Sequence, residues 1–217
     1  MNMGENMLDI EQVRQWYEQT DAVHDFEHVL RVYRTAMKLA EEENADKEIV
    51  AAAALLHDVQ GATPGSEERK GHHIASAEFA GRVLAEAGWT EERIQAVQHC
   101  IRGHRYRGDG NKPETLEAKI IFDADKLDVI GAIGAARTIA YAVLANEPVF
   151  AEPSHQFRTS GKGEPGEPHS AYHEYLFKLV HIRERLFTVA AKRMAEHRHA
   201  ALVQYFEELA AEMRSEL

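Results

Sequence analysis

The chain reads as all-α. Two observations carry this: the run AAAALL (51–56) is small and apolar on every side, and apolar residues return at intervals of three and four along most of the chain. No convincing strand pattern and no internal repeat competes with them. A helix without a polar face belongs in the interior, so His57 and Asp58 at the end of this one are delivered inward. Burying a carboxylate without a partner costs several kcal/mol, roughly, so a buried Asp is normally neutralised, hydrogen-bonded or bound to a metal. On the doublet alone the plainer account, a satisfied core histidine beside a helix end, is preferred. The rest of the chain must change that balance.

Leu8 to Glu18 predicts a short helix, and Asp21 to Asp25 a turn whose Asp25 caps a second helix running to about Asn44. Val29, Val32, Ala36, Leu39 and Ala40 form its apolar stripe, with His24, His28 and Arg31 on the flank. Asp46 caps the alanine helix, and Gly61, Pro64 and Gly65 break the chain after Asp58. Residues 70–87 predict a helix closed by Gly88, with His72 and His73 at its start; Thr90 caps the next helix, which ends near Gly103. RGHRYRGDGNK (102–112) follows, concentrating Arg102, Arg105, Arg107 and Lys112 around His104. After Pro113 one long helical pattern is predicted to about Asn146, interrupted by Asp123, Asp125, Lys126 and Asp128. At about 100° per residue Asp125 and Asp128 share a face that Asp123 does not, but which face is inner stays open. Gly131 and Gly134 predict a close helix approach. Glu147 to His169 reads as a long irregular, mobile loop, and one or two helices close the chain from Ser170, with His197 and His199 at the surface. A single domain spanning 1–217 is expected, with its core at about 22–145, a loop at about 146–169 and C-terminal helices at about 170–217.

The formal net charge of −11 argues against binding long nucleic acids through their phosphates, which needs a basic surface. No apolar run is long enough to span a bilayer and the start does not read as a secretory signal, so a cytoplasmic protein without membrane attachment is expected. Cys100 is the only cysteine, which rules out an internal disulfide. A homo-oligomer is compatible with all of this. There is no GxxxxGK[ST], GxGxxG or GxSxG, which argues against P-loop, Rossmann and esterase chemistry.

The residues that remain are His28, His57, Asp58 and an Asp near 125, a nitrogen and oxygen set without sulfur. Such a set suits one six-coordinate divalent ion, Mn first and Mg, Co, Ni or Fe next, better than a structural zinc. An ion of this kind activates water toward phosphorus and, with nearby Arg or Lys, neutralises a leaving phosphate. A small anionic substrate is therefore the expected partner.

HDFEHVLRV (24–32), LLHDV (55–59) and DADKLDVIGAIGAAR (123–137), with HEYLFKLVHIRERLF (173–187) opening the closing helices, resemble the stand-alone bacterial branch of the HD-domain metal-dependent phosphohydrolases. The resemblance covers nearly the whole chain. It implies an all-α HD-domain helical bundle with a C-terminal extension, and a metal held by His28, His57, Asp58 and Asp125. It also implies hydrolysis of phosphoester or phosphoanhydride bonds in nucleotides, including pyrophosphohydrolysis of nucleoside triphosphates. Many relatives carry an acid shortly after the His-Asp doublet; here Val59, Gln60 and Gly61 stand there. Glu67, Glu68, His72, His73 or His104 must take that role, or the metal acts without it. Asp58, His73, His104 and Lys126 are the catalytic candidates, and Arg31, Arg105, Arg107 and Lys126 the substrate-binding ones. Arg31 and Lys126 each have a structural alternative, such as pairing with Asp128. His73 and His104 are expected to meet phosphate, the alternative being a second metal as in dinuclear HD proteins. A dinuclear iron oxygenase and a non-catalytic metal or nucleotide sensor are the rival functions.

Overall fold

The computed structural model describes residues 8–17, 26–60, 71–108 and 110–216. Every regular element among them is helical: α1 (Ile10–Gln15), α2 (Phe26–Glu43), α3 (Lys47–Leu56), α4 (His72–Glu86), α5 (Glu91–Gly103), α6 (Leu116–Leu127), α7 (Gly131–Leu144), α8 (His155–Ser160), α9 (Ala171–Phe177), a 3-10 helix (Leu179–Arg185) and α10 (Val189–Met213). No single described helix is long and apolar enough to cross a membrane. The predictions made for Asp21, His24, Asp25, Gly61, Pro64, Gly65, Glu67 and Glu68 lie outside the described residues.

The chain sorts into two compact units, Met1–Asp125 with Phe187–Ala191, and Lys126–Leu186 with Lys192–Leu217. In the first, α3 is the centre. Val50 through Leu56 are all buried, with α1, α2, α4 and α5 packed around it. Four alanines let those neighbours close in from several sides, while burial of Leu55 and Leu56 stabilises by roughly 1.5–3 kcal/mol each. Asp46 caps the helix, accepting from Glu48 N (3.0 Å) and Ile49 N (3.1 Å), and Arg93 of α5 binds Asp46 and Glu48. Asn44, at φ 57, turns the chain out of α2, and Gly88, at φ 79, closes α4 as Trp89 N reaches Leu84 O. Thr90 does stand at the start of α5, but its side chain makes no capping bond. On the other side of α3, Val13, Tyr17, Phe26, Val29, Leu30, Leu55 and Val59 form a buried cluster that fastens α1 to α2.

The single long helix expected after Pro113 is two, α6 and α7, parted at Asp128–Ile130. The reason is local. Gly131 sits at φ 79, and a Cβ on Gly134 would come within 2.3 Å of Val129 O, so the two glycines permit a sharp break. Arg198 Nη1 donates to Leu127 O (2.6 Å), satisfying a carbonyl that the break leaves without a helical partner. Gly131 also allows the close approach expected of it, since its Cβ would lie 3.1 Å from Arg198 of α10. Gly134 instead accommodates the chain's own preceding turn.

The three acids of this stretch have different partners. Asp123 is fully buried and accepts from Phe187 N (2.9 Å), Thr188 N (2.8 Å) and Thr188 Oγ1 (2.7 Å). Thr188 Oγ1 accepts in turn from Ala191 N, so Asp123 underpins the start of α10. Asp128 is buried against Arg137, with Nη1 2.6 Å from Oδ2. Only Asp125 is left for the site described below.

In the second unit Tyr175 stacks on Phe206 and donates to Glu207, and Arg214 grips Glu152. The loop expected to be irregular contains α8, capped by Ser154, and is clasped by Glu167. That carboxylate accepts from Ser154 N (2.7 Å), Glu164 N (2.6 Å) and His173 Nε2 (3.1 Å), while Ser170 Oγ lies 2.7 Å from His173 Nδ1. His199, expected at the surface, is half-buried.

Two tests follow. Asp123→Ala leaves two amides and a hydroxyl without their acceptor and should destabilise the fold by roughly 2–4 kcal/mol in denaturant unfolding. The backbone amides of Ser154 and Glu164 and its side-chain partners hold Glu167 down from 4.5 to about 2. Its folded-state pKa is depressed, so its contribution is full above 4.5 and disappears as pH falls toward 2. The stability difference between wild type and Glu167→Gln should shrink over that window; a difference constant with pH would contradict the clasp.

Candidate metal centre

The site is built where the buried alanine helix ends. His57 takes the C-cap position of α3 with helical backbone angles, and its Nδ1 donates to Ala54 O at 2.8 Å. The carbonyl can only accept, so the ring proton is on Nδ1 and Nε2 carries a lone pair. That Nε2 is buried without a hydrogen-bond partner. Tyr17 donates to Leu55 O (2.8 Å) and Ser76 of α4 accepts from Gln60 N (3.1 Å), which ties the turn bearing His57 and Asp58 from both sides.

α2 brings His28 and α6 brings Asp125 to the same place. His28 Nε2 lies 3.6 Å from Asp125 Oδ1 and 3.9 Å from Asp58 Oδ2, and His57 Nε2 lies 3.6 Å from Asp58 Oδ2. Ligating atoms of His28, His57 and Asp125 all fall within 4.8 Å of one another, and so do those of Asp58, His72 and His104. Separations of this size are too long for hydrogen bonds but suit donors that converge on a shared partner. A buried lone pair left without one costs about 1–3 kcal/mol, so the orphaned Nε2 of His57 calls for a cation. Nitrogen and carboxylate donors with no sulfur fit Mn, Mg, Fe, Co or Ni.

The electrostatics agree. Burial pushes the His57 pKa down to about 4, against the pull of Asp58, which keeps the imidazole neutral and able to donate its lone pair at neutral pH. Burial pushes the Asp58 carboxyl up, but the ring of imidazoles around it outweighs this and holds the carboxyl well below its ordinary range. Tyr17 has its hydroxyl pKa raised well above the usual value by burial and by the Asp58 charge.

The other candidates occupy different places. His104, just past α5, is buried, with Nδ1 2.6 Å from Ile101 O and Nε2 3.3 Å from Asp58 Oδ1. His73 is half-buried on α4, its ring centroid 6.5 Å from that of His104, and its pKa is lowered to about 4 by burial and by the neighbouring His104, His72 and Arg105. It is His72, one residue earlier, whose Nε2 stands 3.0 Å from Asp58 Oδ1, although not in line for a well-formed hydrogen bond. Arg105 reaches back to His72, Nη1 to Nδ1 at 2.9 Å. Arg107 is exposed on the following loop, Arg31 is half-buried on α2, and Lys126 belongs to the second unit. Tyr17 was not singled out from the sequence, and His72 was named there only among the residues that could replace the missing acid. The choice between His72 and His73 turns on a phase of one residue at a helix start, which composition does not reveal.

Comparison with known proteins finds the model of the HD domain matching residues 25–130. The protein YpgQ of Bacillus subtilis (strain 168) is 31% identical over 206 residues, covering 92% of this chain and 91% of the relative. The crystal structure of Bacillus subtilis YpgQ in complex with ADP superimposes with a TM-score of 0.72 at 28% identity, covering 94% of this chain and 97% of that one. An HD-superfamily hydrolase from Bacillus thuringiensis gives a TM-score of 0.70 at 29% identity over 94% of each chain.

Added Mn should raise the melting temperature of the wild type, as a ligand present at 100 times its Kd adds about 2.7 kcal/mol. His57→Ala and Asp58→Ala should lose both that shift and the bound metal while keeping their helical circular dichroism. A full metal complement in either variant would remove that residue from the centre.

Proposed function

Because this chain belongs to the HD-domain family, we propose that it is a divalent-metal-dependent hydrolase of phosphoester or phosphoanhydride bonds in nucleotides, with nucleoside triphosphate pyrophosphohydrolysis as its finest form. The observation that carries the reading is the buried, unpartnered Nε2 of His57, directed into a cluster of imidazoles and carboxylates. His28, His57, Asp58 and Asp125 would hold one ion, Mn in first place. Such an ion polarises a phosphoryl oxygen and lowers the pKa of a water molecule.

The protein's own groups divide the remaining work. Asp58, ionised, presents one oxygen toward His28 and His57 and the other toward His72 and His104. His104, its Nδ1 engaged by Ile101 O, offers an Nε2 lone pair that suits a hydrogen of the attacking water better than a phosphate oxygen. Phosphate recognition then falls to the cationic groups, with Arg107 on its exposed loop and Arg31 as a further contributor. His73, whose neighbours are His72, His104 and Arg105, is a further contact to phosphate. The Bacillus subtilis relative crystallised with ADP supports a nucleotide as substrate. With a net charge of −11, a small anion met by locally concentrated arginines fits better than a long polyanion.

Nucleoside mono-, di- and triphosphates assayed with Mn, Mg, Co and Ni test the reading. Phosphate or pyrophosphate should be released, most strongly with Mn, and not by Asp58→Ala. A metal-loaded protein that releases neither would point to a sensor, and oxygen uptake with iron to an oxygenase. Arg107→Ala should raise KM about tenfold and weaken the salt dependence, consistent with loss of one charge-assisted phosphate contact.

A further inference from the structure

Four imidazoles face Asp58, and for His57, His72 and His104 the group bound to the far nitrogen decides what the ring presents. His57 Nδ1 donates to Ala54 O and His104 Nδ1 to Ile101 O, so both turn an Nε2 lone pair inward. His72 has the opposite polarity. Its Nδ1 lies 2.9 Å from Arg105 Nη1, and a guanidinium can only donate. Nδ1 is therefore the acceptor, and the neutral His72 ring carries its proton on Nε2, the atom 3.0 Å from Asp58 Oδ1. The same oxygen is 3.3 Å from the lone pair of His104 Nε2. The turn after α5 supplies both partners, since His104 and Arg105 are consecutive, and α5 ends with carbonyls that favour a cation such as Arg105.

We propose that Arg105 is a positioning residue: it fixes His72 with its proton on Nε2, the nitrogen on the Asp58 side, so that His72 gives an N–H to a phosphoryl oxygen of the substrate rather than a lone pair to a cation. The phosphoryl part rests on the hydrolase reading above; the tautomer rests on hydrogen-bond polarity alone. Arg105 thus acts on substrate through His72.

The test uses the full-length, metal-free, 15N-labelled protein, with the imidazole tautomers read by nitrogen–proton correlation NMR at alkaline pH. His72 should be protonated on Nε2, and His57 and His104 on Nδ1. Arg105→Met should release His72 from its single tautomer without moving the other two, which also shows that the site remains folded. Arg105→Lys, which keeps a donor, should restore it. A wild-type His72 protonated on Nδ1, or one indifferent to Arg105→Met, overturns the proposal. In the nucleotide assay Arg105→Met should lower kcat/KM roughly 10- to 100-fold at unchanged metal content, as expected for losing a hydrogen bond to a charged group. His72→Gln, with an amide N–H near the Nε2 position, should recover part of what His72→Ala loses. Unchanged kinetics in Arg105→Met, with an active wild type, also refute the role. If the tautomers are as stated but the wild type hydrolyses nothing with any metal, the hydrolase reading fails and the Arg105–His72 arrangement stands.

Discussion

The hydrogen bond from His57 Nδ1 to Ala54 O joins the central helix to the chemistry at its end. It commits the only proton of a neutral imidazole to the helix's own backbone, which leaves the inward nitrogen buried and bare. The bond forms because α3 is buried all round: its last carbonyls have no solvent to bind, and the ring of the next residue is the nearest donor. A helix made largely of alanine is what allows the other helices to come close enough to bring His28, His72 and His104 around the same carboxylate.

Asp58 is then the point where two sets of donors meet. One of its oxygens faces His28 and His57, the other His72 and His104. The rings are alike in sequence and differ in what stands behind them: a carbonyl for His57 and His104, a guanidinium for His72. Their polarity is thereby set by residues that never touch the carboxylate. The acids of α6 show the same separation of roles, one at the site, one under the start of α10 and one bound to Arg137.

Much of the fold was legible because its signals are local. Asp46, Gly88 and the apolar run of α3 act within a turn or two of where they stand in the sequence, and the helices they bound follow. The break between α6 and α7 was not legible, because no proline marks it and Gly131 reads equally as a packing position. Helical phase also failed to sort Asp123, Asp125 and Asp128: a helix buried on most sides has no single inner face, and partners from distant parts of the chain decide where each acid goes. His28, His57, Asp58 and Asp125, singled out from the sequence, lie together in the folded chain, whereas His72 and its tie to Arg105 depend on a side-chain bond spanning 33 positions.

Asp123 finds its partners at Phe187 and Thr188, a separation of 64 and 65 residues. During synthesis the first unit therefore cannot close until the ribosome has made nearly the whole chain, including all of Lys126–Leu186, which belongs to the second unit. Until then a bare carboxylate on α6 has to stay hydrated. A fragment cut at the edge of the HD match, residue 130, would carry all four proposed ligands and still lack the strap that lets α6 settle.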